Sequence, residues 1–310
     1  MPPINPRATP GPGAAAGASA AAPFPVAADA GAKPAVPFPI LVNLRAIGVS
    51  FVWWREQALR LEEVGYAGVA AWDHFVSRGV RTDLVLEAWT TLAAVGGATT
   101  RLAVMTFVAN VMNRHPAVLA RMAATLQEAT GGRLMLGVGI GGHPAEHHAY
   151  GIPFPDAPER VARLEEAMAV VRALWTGGPV TRPSPFYPLV DAWAFPVPIP
   201  PPPIIVGGES RLGAELAARV GDGWTTPAAT LARHLPAYLD ALAAAGKDRD
   251  RQRVLVAFDL PKGGSLAGSP WIVDQAAAAD EWRAAGADGA ILGANATADV
   301  DALVEAAARG

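Results

Sequence analysis

The chain contains no cysteine, which excludes a disulfide framework, a thiolate zinc site and a cysteine nucleophile. Charge is scarce: 25 basic and 28 acidic residues make up 17% of 310 and leave a net charge of −3. No basic cluster stands out, so nucleic acid is not expected as a partner. No apolar run reaches the roughly 18 residues of a membrane-spanning helix, so no membrane partner is expected and a cytoplasmic location is read. Against these absences stand 51% hydrophobic residues and a mean hydropathy of +0.24. That balance suits many elements buried on both faces, and the length suffices for one large domain or two small ones.

Residues 1–37 stand apart. Twenty-six of them are Ala, Pro or Gly, and only Arg7, Asp29 and Lys33 are charged. The stretch reads as a disordered low-complexity tail, leaving 38–310 as the working domain. Pro2, Pro3, Pro6, Pro10 and Pro12 break the basic-then-apolar start of a secretory signal. Export stays open as the alternative to a tail or a misplaced start.

From Phe38 onward, strand-like and helix-like segments alternate. Strands are expected at Phe38–Arg45, Gly68–Trp72, Arg101–Ala109, Arg133–Ile140, Ile204–Val206, Gly223–Thr226, Arg253–Asp259 and Gly289–Gly293. Helices are expected at Phe51–Gly65, Asp83–Gly96, Pro116–Gly131, Pro158–Trp175, Arg211–Val220, Ala228–Ala245, Trp271–Ala285 and Ala298–Ala308, the last with Thr297 as N-cap. Pro179–Pro203 carries ten prolines and reads as a long irregular loop rather than a strand pair. A signal Val/Ala-Gly-x-x-Gly recurs at Val64–Gly68 and Ala285–Gly289, and once, shortened, at Val220–Gly223. It marks a helix end followed by the next strand. Eight strand–helix pairs in about 270 residues predict an α/β fold, a closed (β/α)8 TIM barrel. The rival is an open doubly wound sheet, which would place a glycine-rich turn after its first strand; none stands there.

In such a barrel the chemistry gathers where the strands end. Strand two ends in Asp73-His74, where a carboxylate beside an imidazole can set its tautomer and basicity; Asp73 can equally cap a turn. Gly207-Gly208-Glu209-Ser210 precedes a helix and reads either as an anion site at a helix N-terminus or as a tight turn with an N-cap. Gly137–Gly142 satisfies G-x-G-x-x-G, yet it follows the fourth strand and runs into Pro144. Close approach of a flat ligand to bare backbone at Gly139 and Gly141 explains it better than a dinucleotide fingerprint does. His143-Pro144-Ala145-Glu146-His147 spells the inverted zinc-protease pattern, but no third ligand is evident and no metal is assigned.

Taken together, Arg114–Ala117, Ala124–Glu128, Gly131–Arg133, Leu136–Gly139, Gly151–Phe154, Glu159-Arg160, Arg163–Glu166, Gly207-Gly208 and Ala217–Trp224 resemble the luciferase-like monooxygenase superfamily over roughly Pro39 to the C-terminus. The resemblance implies a TIM-barrel oxidoreductase, most similar to the branch using coenzyme F420, with FMN the alternative. It implies hydride transfer to or from a small organic substrate, with His74 and Asp73 catalytic. It places Thr106 and Asn110 near the ring and Gly207, Gly208 and Ser210 at the phosphate, with a non-proline cis peptide near Thr106–Ala109. A homodimer is implied, and a flavin reductase as partner if FMN is used with O2. A non-catalytic flavin-binding homologue is the alternative from another class. One departure is Gly142-His143, where some deazaflavin dehydrogenases carry a glutamate; it argues against sugar-phosphate oxidation.

Overall fold

The structure, a computed structural model, describes residues 36–77, 79–258, 260 and 264–309. The tail reading for 1–35 and the strand end at Asp259 lie outside the described residues. Val36 is already buried in the core, so packing against the barrel begins before the expected boundary at Phe38.

The elements are β1 (Ile40–Leu44), α1 (Phe51–Glu63), β2 (Gly68–Ala71), α2 (Ala88–Ala98), β3 (Ala103–Thr106), β4 (Ala109–Asn110), α3 (Pro116–Ala129) and β5 (Leu134–Gly139). There follow α4 (Pro144–Ala149), α5 (Ala157–Leu174), β6 (Val180–Arg182), β7 (Leu189–Ala192), β8 (Ile204–Gly207), α6 (Arg211–Val220), β9 (Gly223–Pro227) and α7 (Ala228–Ala244). The chain closes with β10 (Arg253–Phe258), α8 (Pro270–Val273), α9 (Gln275–Ala284), β11 (Gly289–Ala294) and α10 (Thr297–Arg309).

Pairing runs β3-β2-β1-β11-β10-β9-β8-β5, and β3 pairs with β5, so the parallel sheet closes into an eight-stranded barrel. β4 continues β3 after an interruption, which contains a cis peptide between Phe107 and Val108. Period-two alternation divides each strand. Leu41, Ala70, Met105, Met135, Ile205, Leu255 and Ile291 fill the barrel, while Val42, Val69, Val104, Leu136, Val206, Val254 and Leu292 face the helices. The expected glycine punctuation has a physical basis: Gly65 and Gly286 end their helices at φ +87° and +89°, where only glycine is unstrained.

Four expectations change. Pro179–Pro203 contains an antiparallel pair, β6 with β7. Its prolines fall before β6, in the connection and after β7, so neither strand contains one. α2 starts at Ala88 because the Glu87 carboxylate accepts from the Trp89 and Thr90 N–H groups, whereas Asp83 is drawn to the Ser77 hydroxyl. The helix expected over Trp271–Ala285 breaks at Asp274, which caps α9 by accepting from the Ala277 N–H. Thr297 is the first residue of α10 rather than its cap; its hydroxyl accepts from the Trp53 indole, and Asp299 binds the Asn295 and Ala296 N–H groups.

Candidate active site

The rim where the strands end carries a hydrogen-bonded corner built from β2, β4 and α4. His74 Nδ1 lies 2.8 Å from Glu146 Oε2. The other oxygen of the same carboxylate accepts from the backbone N–H groups of Phe75 and Val76. Glu146 is 5% exposed, while the His74 ring is 28% exposed. Burial pushes the Glu146 carboxyl up, but the imidazole hydrogen bond and charge and the two N–H groups outweigh it and hold it below the usual carboxylate range. His143 and Trp72 stand edge-on to the imidazole, with ring centroids 6.1 and 6.3 Å away. The Asn43 carboxamide lies against Trp72, and with its oxygen turned toward the indole it accepts from that N–H at 2.6 Å while its nitrogen donates to the Ala70 carbonyl.

Asp73 has a different duty from the one its neighbour suggests. Its carboxylate takes a two-pronged bond from Arg114, at 2.6 and 2.8 Å, and accepts from the Asn110 N–H at 3.0 Å. Arg114 also binds Glu87 at 3.1 Å, tying the corner to the cap of α2. The group set against the His74 imidazole is therefore Glu146, and Asp73 holds the strand ends and the arginine in place.

Thr106 also departs from expectation. It faces away from the barrel interior, is fully buried, and donates its hydroxyl to the Gly137 carbonyl at 2.7 Å. The inward-facing residue at that height is Phe107, half-buried against the interior cluster. Asn110 sits where β4 meets Gly139 of β5. Its amide nitrogen is shared between Asn113 Oδ1 and His147 Nε2, and its oxygen accepts from the Met112 N–H. Gly141 has φ +78°, and a Cβ there would meet that amide at 2.8 Å, so the turn is built around Asn110. Gly139 and Gly207 both lie against the Val108 side chain, at 2.8 and 3.2 Å from their would-be Cβ atoms.

At the turn after β8, a Cβ on Gly208 would lie 2.9 Å from Gly213 Cα, so glycine lets the turn pack on the first turn of α6. Ser210 caps α6 by accepting from the Gly213 N–H at 3.1 Å, which leaves its own O–H as a donor. The pattern His143–His147 is divided between partners: Glu146 serves His74, and His147 sets Nδ1 toward the Pro153 carbonyl and Nε2 toward Asn110. Among the described residues no group of three His, Cys, Asp or Glu side chains is placed to hold a metal ion. No helix among them is long and apolar enough to cross a membrane.

Two features fit a flat ring with an anionic extension lying over this rim. The Thr225 hydroxyl, buried and facing the barrel interior beside Gly207, has no partner among the described residues. At Gly142 a Cβ would meet nothing within 4 Å, so bare backbone is open there. The sequence offered Glu146 only within the zinc-like pattern, and it is the six-residue α4 that brings it to His74.

Fold and corner together define a (β/α)8 barrel with a histidine–carboxylate pair at the rim where such barrels do their chemistry. The chain belongs to the luciferase-like monooxygenase family, whose sequence profile matches residues 46–260. It is 38% identical over 197 residues to an F420-dependent glucose-6-phosphate dehydrogenase of Kribbella flavida, covering 62% of this chain and 57% of that protein. It is 33% identical over 190 residues to an F420-dependent hydroxymycolic acid dehydrogenase of Mycobacterium tuberculosis, covering 60% of this chain and 52% of that protein. The chain thus aligns with little more than half of the relatives it matches. Among solved structures, an F420-dependent secondary alcohol dehydrogenase with an F420–acetone adduct superposes with a TM-score of 0.75 at 22% identity, over 87% of this chain and 98% of that one. The monooxygenase RslO1 of Streptomyces bottropensis does so at 0.67 and 23% identity, over 86% and 97%. At these identities both show the shared fold.

Proposed function

We propose that this protein is an oxidoreductase that transfers a hydride between coenzyme F420 and a small organic substrate, with His74 as the group that trades the accompanying proton. The observation that carries the reading is the His74–Glu146 pair at 2.8 Å, buried on the carboxylate side and partly exposed on the imidazole side. The names of the sequence relatives support F420 as the carrier.

Coenzyme F420, when bound, supplies a ring carbon that accepts or gives a hydride as part of a two-electron transfer. The residues of this chain supply the rest. The Glu146 carboxylate accepts a hydrogen bond from the Nδ1–H of His74, so Nε2 is the atom that takes a proton from a substrate hydroxyl or returns one to a carbonyl. Trp72, Phe75 and Phe107 give the rim an apolar wall that keeps water from the reacting atoms. Asn110, Gly139 and Gly141 shape the floor behind the ring. The turn at Gly207, Gly208 and Ser210, with the α6 N-terminus and the Thr225 hydroxyl, is the place for the anionic extension. Asp73 and Arg114 hold the β2 and β4 ends in register under His74. The substrate itself is a small molecule carrying a hydroxyl or carbonyl group.

The test is paired titration of the protein with F420 and with FMN, followed by fluorescence, and turnover of a panel of alcohols and ketones with F420. Binding and turnover with F420, and at least about tenfold weaker binding of FMN, which corresponds to about 1.4 kcal/mol, are expected. Tight FMN binding with oxygen consumption in the presence of a flavin reductase would replace this reading with an FMN-dependent monooxygenase.

A further inference from the structure

We infer that Glu146 is the positioning residue of the site: its two oxygens divide between backbone and imidazole, and this division fixes the His74 tautomer that presents Nε2 as a proton acceptor. The inference rests on the proposed role of His74 and adds the partner that makes that role work.

The geometry is specific. Oε1 accepts from the N–H groups of Phe75 and Val76, and Oε2 from His74 Nδ1. The backbone bonds orient the carboxylate plane, and the remaining oxygen faces a ring nitrogen that must carry its proton to donate. Asp73, adjacent in sequence, cannot substitute, because Arg114 and the Asn110 N–H occupy its oxygens. Glu146 comes from α4, a six-residue helix whose first residue is Pro144, so its placement depends on that short turn rather than on β2.

A glutamine at this position makes the division visible. It has the shape of glutamate but only one acceptor oxygen. If that oxygen keeps the two backbone N–H groups, the amide NH2 faces Nδ1 and donates to it. The imidazole proton then moves to Nε2, and the base is lost from the rim while the backbone bonds survive.

The experiment reads the tautomer directly, on the full chain without coenzyme. Two-bond 1H–15N correlation spectra assign the His74 ring nitrogens, with His74→Ala identifying its signals. Wild-type protein should show a protonated Nδ1 and an unprotonated Nε2 above the imidazole pKa. Glu146→Gln should reverse them with its circular dichroism and melting curve those of a folded protein, and in turnover kcat should fall about 100-fold or more with little change in KM. A wild-type Nε2–H tautomer would overturn the inference, whatever the variant does, as would a folded Glu146→Gln with wild-type tautomer and kcat. If F420 is not turned over at all, the coenzyme reading fails while the tautomer result stands or falls by itself.

Discussion

The two ends of the barrel use buried charge for different purposes. At the end where strands begin, Arg133 is 3% exposed and spends its five N–H groups on Thr130 O, Leu102 O, Gly96 O, Thr99 O and Thr99 Oγ1. Glu62 there accepts from the backbone N–H groups of Thr100, Arg101 and Leu102. Both side chains satisfy backbone and present nothing to a ligand. At the opposite end, Asp73 and Glu146 also satisfy backbone, but Glu146 keeps one oxygen for an imidazole that stays accessible. The same device, a buried charge holding loop N–H or C=O groups, is a staple at one rim and, in the proposed reading, a tuned chemical group at the other. Losses of stability and losses of activity should therefore separate by rim.

The largest effect on stability is expected at the end where strands begin. Arg133→Met strands several buried carbonyls and should cost at least about 4 kcal/mol, or leave the chain unfolded, by urea denaturation. Retention of wild-type stability would remove the contrast. Asp73→Asn breaks a pair whose side chains are 1% and 13% exposed. It should cost about 3 kcal/mol and leave the His74 tautomer intact; a tautomer change would make Asp73, rather than Glu146, the carboxylate that orients the imidazole. Ser210→Ala removes the α6 cap and should cost about 1 kcal/mol in the same assay, with F420 affinity reporting whether its hydroxyl also serves the ligand.

The smallest effect is a pH slope. The Glu146 carboxyl is held below its ordinary 4.5 in the folded chain. Its stabilisation is thus complete above that pH and is lost as pH falls through the folded value, because the unfolded chain binds the proton first. Stability of Glu146→Gln between pH 5 and 3 should fall less steeply than that of wild type, measured by urea midpoints. An equal slope would mean that this carboxylate is not held in its charged form.

The barrel was legible because each strand–helix unit is punctuated locally. Gly65 and Gly286 can be recognised as helix stops from their immediate neighbours, and the apolar runs of β1, β5 and β11 need both faces covered. His74 stood out as a candidate from its place at a strand end. Its contact with Glu146 did not, since 72 residues separate the two and the zinc-like pattern of Glu146 with His143 and His147 invited another chemistry. The β6–β7 pair was hidden by proline density: what mattered was that Val180–Arg182 and Leu189–Ala192 contain none. For Thr106 the sequence did not reveal the facing: a strand turns alternate residues to opposite faces, and Phe107, not Thr106, looks inward.

The most direct measurement is F420 binding and F420-linked turnover by His74→Ala. The coenzyme should bind as it does to wild type while turnover falls about 100- to 10,000-fold. Turnover equal to wild type would contradict the assignment of the rim imidazole as the proton-trading group.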